Sequence, residues 1–411
     1  MSTLWLALVA LNPESQLLDD GAELLVVELP GARETSLRYV VRSGSADDLP
    51  GQAGAAHLLE HVLFHGSYEV TEAELWASAR KAGVELNAFT SADATMFSMN
   101  ATNDQFEAFA ETYLGVITAP ALDLADVDRE IGVIATERTF FSRSSLSWVV
   151  DGMLFPGETR GATIIGTHRS LRTVSSENLR AQYSRHYHPA NTTIIVTGGA
   201  SPERVRTLVA RSIRLAPARP KEEPAEVTSP NVPIKEKIRA PTSLAMLGYV
   251  LARARPATCE ALAALIDLRG TRLLHIDAPL ASRLETTCLS ARGNSILLAA
   301  AFSSAVESSS LPEALGRVFE GIAKKPMSTA ESKVIKSRFE RRLEILSSDP
   351  SELADVLMLA AAEDRPVGGR TRLDTIFSAP RVEGADLIEA ALESFLPERS
   401  FLLFVSPFEG N

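Results

Sequence analysis

Between Ala216 and Ala240 the chain reads APARPKEEPAEVTSPNVPIKEKIRA, with prolines at 217, 220, 224, 230 and 233 set among charged residues. Proline offers no N–H to a strand ladder and breaks a helix interior, so this stretch is expected to be a semi-rigid linker. It divides the 411 residues into a first domain at 1–215, a linker at 216–240 and a second domain at 241–411. The two parts resemble each other. Glu34–Arg42 (ETSLRYVVR) and Pro241–Arg253 (PTSLAMLGYVLAR) share a TSL opening and an apolar run, and each part closes near another strand-like run, Thr192–Thr197 (TTIIVT) or Ser400–Val405 (SFLLFV). The interval from Ser36 to Ile194 is 158 residues and that from Ser243 to Leu402 is 159. Matching intervals indicate two copies of one domain. Helix-length patterns occupy 71–82, 125–137, 312–322 and 330–345 without a strict strand–helix alternation, so the fold class is α+β rather than a doubly wound sheet.

Composition removes several functional classes. A net charge of −11 is the wrong sign for a nucleic-acid binder, which needs a basic face for phosphates. No run of eighteen apolar residues occurs, so no membrane-spanning helix is expected. Leu4–Leu11 (LWLALVAL) is apolar, but no Lys or Arg precedes it and no small-x-small site follows. It reads as a first strand rather than an export signal, and the expected location is cytoplasmic. The two cysteines, Cys259 and Cys288, are too few for a disulfide framework and wrongly spaced for a zinc cluster. They are expected to be buried, reduced thiols.

Chemistry concentrates in Ala55–Phe64 (AAHLLEHVLF), which holds two of the seven histidines. On a helix, His57 and His61 lie about 40° apart, with Glu60 about 60° to the other side of His57. Two neutral imidazoles one turn apart can ligate one zinc ion, with the carboxylate beside them free to act as a base. This is the H-x-x-E-H order, which composition alone would produce roughly 0.01 times in such a chain. Leu58, Leu59, Val62 and Leu63 supply the apolar face that docks the helix. A catalytic zinc takes a third protein ligand. His65, Asp93, Glu130, Glu137, His186 and His188 are the candidates, and spacing alone does not choose among them. Glu130 and Glu137 stand two turns apart on one helical face, the arrangement of a ligand carboxylate with a second carboxylate orienting a histidine N–H behind it.

These residues resemble the M16 metallopeptidases, the inverzincins, and most closely their short two-domain bacterial and processing-peptidase branch. The likeness runs through Leu17–Glu28 (LLDDGAELLVVE), Val40–Leu49 (VVRSGSADDL), Gly51–Ser67 (GQAGAAHLLEHVLFHGS), Asn87–Phe97 (NAFTSADATMF), Gly166–Leu171 (GTHRSL) and Tyr183–Gly198. It implies the LuxS/MPP-like metallohydrolase fold: two homologous domains, each a mostly antiparallel sheet flanked by helices. In that family a glutamate about 76 residues after the second histidine completes the metal site, and Glu137 follows His61 by 76. The resemblance thus implies one zinc ion per chain on His57, His61 and Glu137, with Glu60 as catalytic base and Glu130 behind the ligands. It also implies that Asn87, Ala88, Phe89 and Thr90 form an edge strand receiving an extended peptide.

The second domain fits the family less well. The repeat of the motif helix, Cys259–Leu268 (CEALAALIDL), carries no ligand, as the family's metal-free copy requires. Active members carry an Arg and a Tyr in a stretch like S-R-L-x-x-x-x-R-x-x-x-G-L-x-Y. Here Ser282, Arg283 and Leu284 match, but Leu289 stands at the arginine position and Ile296 at the tyrosine position. The expectation is a zinc endopeptidase acting on extended or unfolded peptides. It would be the catalytic subunit of a heterodimer whose M16-related partner supplies the gripping Arg and Tyr. A homodimer in which Arg283 or Arg292 grips substrate, and a non-enzymatic scaffold subunit of a larger complex, are the alternatives.

Overall fold

The run Glu34–Val41 (ETSLRYVV) is buried at every position but the first, so both of its faces must be covered. The first half of the chain is built around it. The computed structural model describes residues 14–122, 127–141, 153–154, 164–213, 231–239, 243–251, 256–277, 279–291, 294–303, 308–363 and 384–406. The apolar Leu4–Leu11 segment and most of the proline-rich stretch lie outside them.

The first sheet comprises β1 (Glu14–Leu17), β2 (Glu23–Glu28), β3 (Glu34–Val41), β4 (Glu85–Thr90), β5 (Thr95–Thr102) and β6 (Thr192–Gly198) in the order β1-β2-β6-β3-β5-β4. All its pairs are antiparallel except β2 with β6. Between the strands run helices α1 (Ala55–Leu63), α2 (Glu72–Ala82), α3 (Asn103–Thr118), α4 (Val127–Phe141), α5 (Ser176–His186) and α6 (Pro202–Ser212). Alternation along β3 sends Leu37, Tyr39 and Val41 into a core shared with Leu58, Leu59 and Val62 of α1 and Phe106 and Tyr113 of α3.

The second sheet comprises β7 (Ile234–Arg239), β8 (Ser243–Val250), β9 (Arg283–Ala291), β10 (Asn294–Ser303) and β11 (Ser400–Ser406) in the order β7-β11-β8-β10-β9. In chain order the helices of this half are α7 (Pro256–Thr271), α8 (Leu311–Lys324), α9 (Thr329–Ser348), α10 (Pro350–Glu363) and α11 (Gly384–Ser394), of which α10 packs on the first sheet instead. The order repeats β2-β6-β3-β5-β4 of the first sheet, and the one parallel pair, β7 with β11, falls at the same place. The duplication read from the strand intervals is thus a duplication of topology. No helix among the described residues is long and apolar enough to cross a membrane.

The structure corrects the sequence expectation in three places. The stretch Ile234–Arg239, counted as linker, is strand β7. Its prolines stop at Pro233, so every residue from Ile234 onward keeps the N–H a ladder needs. The division at 215 and 241 also fails for part of the chain. One unit comprises 1–152, 156–225 and 342–365, and the other 153–155, 226–341 and 366–411, so α10 belongs to the first unit.

The anchor of α10 is Arg38, on the face of β3 opposite Leu37 and only 1% exposed. Its Nε donates to Asp355 Oδ1 at 2.7 Å, its Nη1 to Asn100 Oδ1 at 2.9 Å and its Nη2 to Ser351 Oγ at 2.9 Å. Thr197 Oγ1 donates to the Pro350 carbonyl at 2.6 Å. A guanidinium removed from water must have its donors met, and α10 meets those at Nε and Nη2 while β5 meets Nη1. No local sequence pattern marks such a pairing across more than 300 residues.

The third correction concerns the cysteines, which are joined rather than reduced: Cys259 on α7 and Cys288 on β9 form a disulfide. The bond fastens a core helix of the second unit to an edge strand of its own sheet. Replacing both cysteines by alanine is expected to cost about 3 kcal/mol for a closed loop of this size. The readout is the denaturant midpoint of the second unit. An unchanged midpoint, together with a native mass showing two free thiols, would contradict the assignment.

Candidate metal centre

The motif helix α1 is positioned from its N-terminus. Gly54 has φ 92°, and a Cβ there would come within 2.7 Å of the Gly166 Cα, so only glycine fits this close approach. Asp48, 5% exposed, accepts from the Gly54 N–H at 2.7 Å and the Ala56 N–H at 2.8 Å. Two of the helix's orphan donors are thereby satisfied by one carboxylate. Burial pushes that carboxyl up to about 7, against the pull of the two backbone donors. The residues Gly166–Leu171 close the same end, where Ser170 Oγ donates to the Ala53 carbonyl at 2.7 Å.

With Leu58, Leu59, Val62 and Leu63 committed to the core, the remaining stripe of α1 presents His57, Glu60 and His61. Helix α4 comes alongside with Ile131 and Ile134 buried, which turns Glu130 and Glu137 toward that stripe. Glu137 Oε2 lies 3.7 Å from His57 Nε2 and 3.5 Å from His61 Nε2. Donor atoms of these three residues all fall within 4.8 Å of one another, the one such group of three or more among the described residues. Glu130 Oε2 lies 3.1 Å from His61 Nδ1, so that nitrogen carries a proton and Nε2 is the ring atom left to face the cluster. His65, Asp93, His186 and His188 stand outside the convergent group.

The charge balance in the cluster is that of a cation site. Burial and the neighbouring His61 depress His57 to about 4, against the pull of Glu137. Burial also works against a proton on His61, but Glu130 and Glu137 outweigh it and raise that imidazole to about 9. The hydrogen bond from His61 holds Glu137 below the usual carboxylate range, and His61 and His65 hold Glu130 well below it. Without a metal, the proton held on His61 supplies the positive charge that the two carboxylates draw in. Two imidazole nitrogens and one carboxylate oxygen on a preformed face are a donor set that suits zinc.

Glu60 is 7% exposed and burial pushes it up to about 7, opposed by a 2.5 Å hydrogen bond that Thr90 Oγ1 donates to its Oε2. That bond gives Thr90 a side-chain role besides its place on the edge strand. Its side chain is 1% exposed and faces Glu60, whereas Asn87 and Phe89 are exposed. Strand β4 is the edge of the first sheet, and Asn87, Ala88, Phe89 and Thr90 line one cleft with His57, Glu60, His61 and Glu137. Sequence reasoning missed Asp48, the Thr90 hydroxyl bond and Arg129 beside Glu130, and it weighed His65 only as a metal ligand. Asp48, Thr90 and His65 act across gaps in sequence that no local spacing encodes.

In the second unit, Leu289 and Ile296 stand directly opposite each other across β9 and β10, and Ile296 is fully buried. The two positions at which the family would carry Arg and Tyr are therefore one apolar cross-strand pair. Arg283 is already engaged, with its guanidinium 4.2 Å over the Phe302 ring and its Nε 3.2 Å from Glu285 Oε1. Arg292 lies outside the described residues.

Comparison with known proteins agrees with this picture. Two family profiles match, "Insulinase (Peptidase family M16)" over residues 24–155 and "Peptidase M16 inactive domain" over residues 173–309, and together they span more than half of the chain. An uncharacterized zinc protease of Streptomyces coelicolor is 24% identical over 191 residues, covering 46% of this chain and 42% of that protein. The human mitochondrial-processing peptidase subunit beta is 25% identical over 171 residues, covering 41% of this chain and 35% of that protein. The matched stretch is thus less than half the length of either relative. Among solved structures, a protease from Helicobacter pylori superposes with a TM-score of 0.83 at 19% identity, covering 96% of this chain and 99% of that one. The chain belongs to peptidase family M16.

Because Asp48 caps α1 from a distance, Asp48→Ala is expected to lower the stability of the metal-free protein by about 1–2 kcal/mol. Chemical denaturation measures this, and a midpoint equal to that of the unaltered chain would contradict the capping role.

Proposed function

We propose that this chain is a zinc-dependent endopeptidase that cleaves extended or unfolded peptides. The observation that carries the reading is the convergence of His57, His61 and Glu137 beside Glu60, in a cleft whose wall is the edge strand β4. The names of the Streptomyces and mitochondrial relatives support it. His57, His61 and Glu137 would hold the zinc ion, which when bound supplies Lewis acidity to a water and a carbonyl.

The chain's own residues do the rest. Glu60, with its pKa near 7, is poised to take a proton from the attacking water and pass it to the leaving amine near neutral pH. The Thr90 hydroxyl fixes the orientation of that carboxylate. Glu130 holds His61 in the tautomer whose Nε2 faces the cluster. Strand β4 lends its outer edge to an incoming peptide, which would add to the sheet as a further strand and be read through its backbone.

The apolar pair Leu289–Ile296 favours a division of labour. This chain would supply the metal half of the site, and an M16-related partner would supply the Arg and Tyr that grip the peptide. The name of the mitochondrial relative, a subunit beta, is in keeping with such an assembly. The Cys259–Cys288 bond favours an oxidising compartment over the cytoplasmic location expected from sequence.

Glu60→Gln should retain one zinc per chain and lose at least about 10²-fold in peptide hydrolysis. His61→Ala should lose the metal. Wild-type cleavage by Glu60→Gln, or full zinc occupancy in His61→Ala, would refute the assignments. A purified zinc-loaded chain that cleaves an unstructured peptide pool at full rate as a homodimer would refute the partner.

A further inference from the structure

Glu130 does not stand alone behind His61. Its Oε2 faces His61 Nδ1, while its Oε1 is shared by His65 Nε2 and Arg129 Nε, each at 3.1 Å. Arg129 in turn donates from Nη2 to Glu72 Oε2 at 2.8 Å. The His65 and Glu130 side chains are only about one-tenth exposed, whereas Arg129 and Glu72 are 49% and 39% exposed. A carboxylate touched at one oxygen only can rotate about its terminal torsion, which is broad and nearly free. Fastened at both oxygens, it presents Oε2 to His61 in one orientation.

His65 sits just past the end of α1, where the chain turns at Gly66. That glycine has φ 105°, and a Cβ there would meet the Val70 carbonyl at 2.2 Å. The turn thereby holds the His65 ring against Glu130 rather than letting it follow the helix. Nε2 of His65 also lies 3.2 Å from Arg129 Nη2, and it cannot both donate to Glu130 and accept from Arg129. The anionic Oε1 is the stronger partner, and Glu72 meets the Arg129 Nη2 donor, so the assignment is His65 Nε2–H to Glu130.

We propose that His65 and Arg129 are positioning residues for the metal centre: by locking the Glu130 carboxylate they fix the tautomer and ring orientation of His61. The inference rests on the zinc reading of the His57–His61–Glu137 cluster and adds two residues to it. Neither reaches the cluster itself, so their effect passes wholly through Glu130.

The test is zinc affinity of the full chain, measured by competition with a chromophoric chelator, together with the visible spectrum of the cobalt-substituted protein. His65→Ala and Arg129→Met should each weaken zinc binding, with His65→Ala losing roughly 10-fold, the size usual for removing an outer partner of a metal ligand. The cobalt bands should shift while the melting temperature of the metal-free protein stays in place. His65→Gln, whose side-chain amide can still donate to Glu130, should recover most of the affinity. In a Glu130→Gln background, His65→Ala should add almost nothing, since the route it acts through is gone.

Zinc affinity equal to wild type in both single variants would overturn the proposal, as would a full additional loss in the Glu130→Gln background. If His65→Ala fails to fold, the half-exposed Arg129→Met decides alone. A wild-type chain that binds no zinc would instead overturn the underlying reading of the cluster. The two failures are therefore separable.

Discussion

Helix α1 carries an imidazole, a carboxyl and a second imidazole into a position almost closed to water, on a scaffold whose other residues are core. Burying such groups without partners costs several kcal/mol, so the surrounding structure has to supply partners for each. Thr90 answers Glu60, Glu130 answers His61, and Asp48 satisfies the helix's first donors. Helix α4 is held where it is because Ile131 and Ile134 must be buried, and that docking delivers both glutamates. The first sheet and its helices follow from seating these two helices side by side.

How far this was legible in the sequence depends on the range of each interaction. The motif helix and its apolar face are local, periodic signals, whereas Glu137 was singled out among the candidates only by the family resemblance; the helix expected at 125–137 is observed at Val127–Phe141, with Glu137 one turn inside its end. The strand intervals gave away the duplication, since matching strands keep matching separations when a domain is copied. What stayed hidden depends on contacts with no periodicity. Arg38 calls α10 across from the far side of the chain, Cys259 finds Cys288 only once α7 lies beside β9, and strand β7 begins inside a stretch that proline content marked as linker. Thr90 was read only for its place on the edge strand, and the further duty of its side chain, turned toward Glu60 by alternation along β4, was not foreseen.

The two copies have diverged in a consistent direction. The first keeps four polar groups at considerable desolvation cost, which a purely structural domain has no physical reason to retain. The second reads CEALAALIDL at the corresponding helix, with no metal-ligating pair, and carries the apolar Leu289–Ile296 pair, half-buried at Leu289 and buried at Ile296. That contrast between the copies is what motivates the proposed partner.

The central claim is that one metal ion sits among His57, His61 and Glu137, and anomalous scattering at the zinc edge from crystals of the zinc-loaded protein tests it most directly. A single peak per chain is expected, bonded to His57 Nε2, His61 Nε2 and a Glu137 carboxylate oxygen, with Glu60 beside the peak but not bonded to it. A peak ligated by other residues, or Glu60 in place of Glu137, would contradict it.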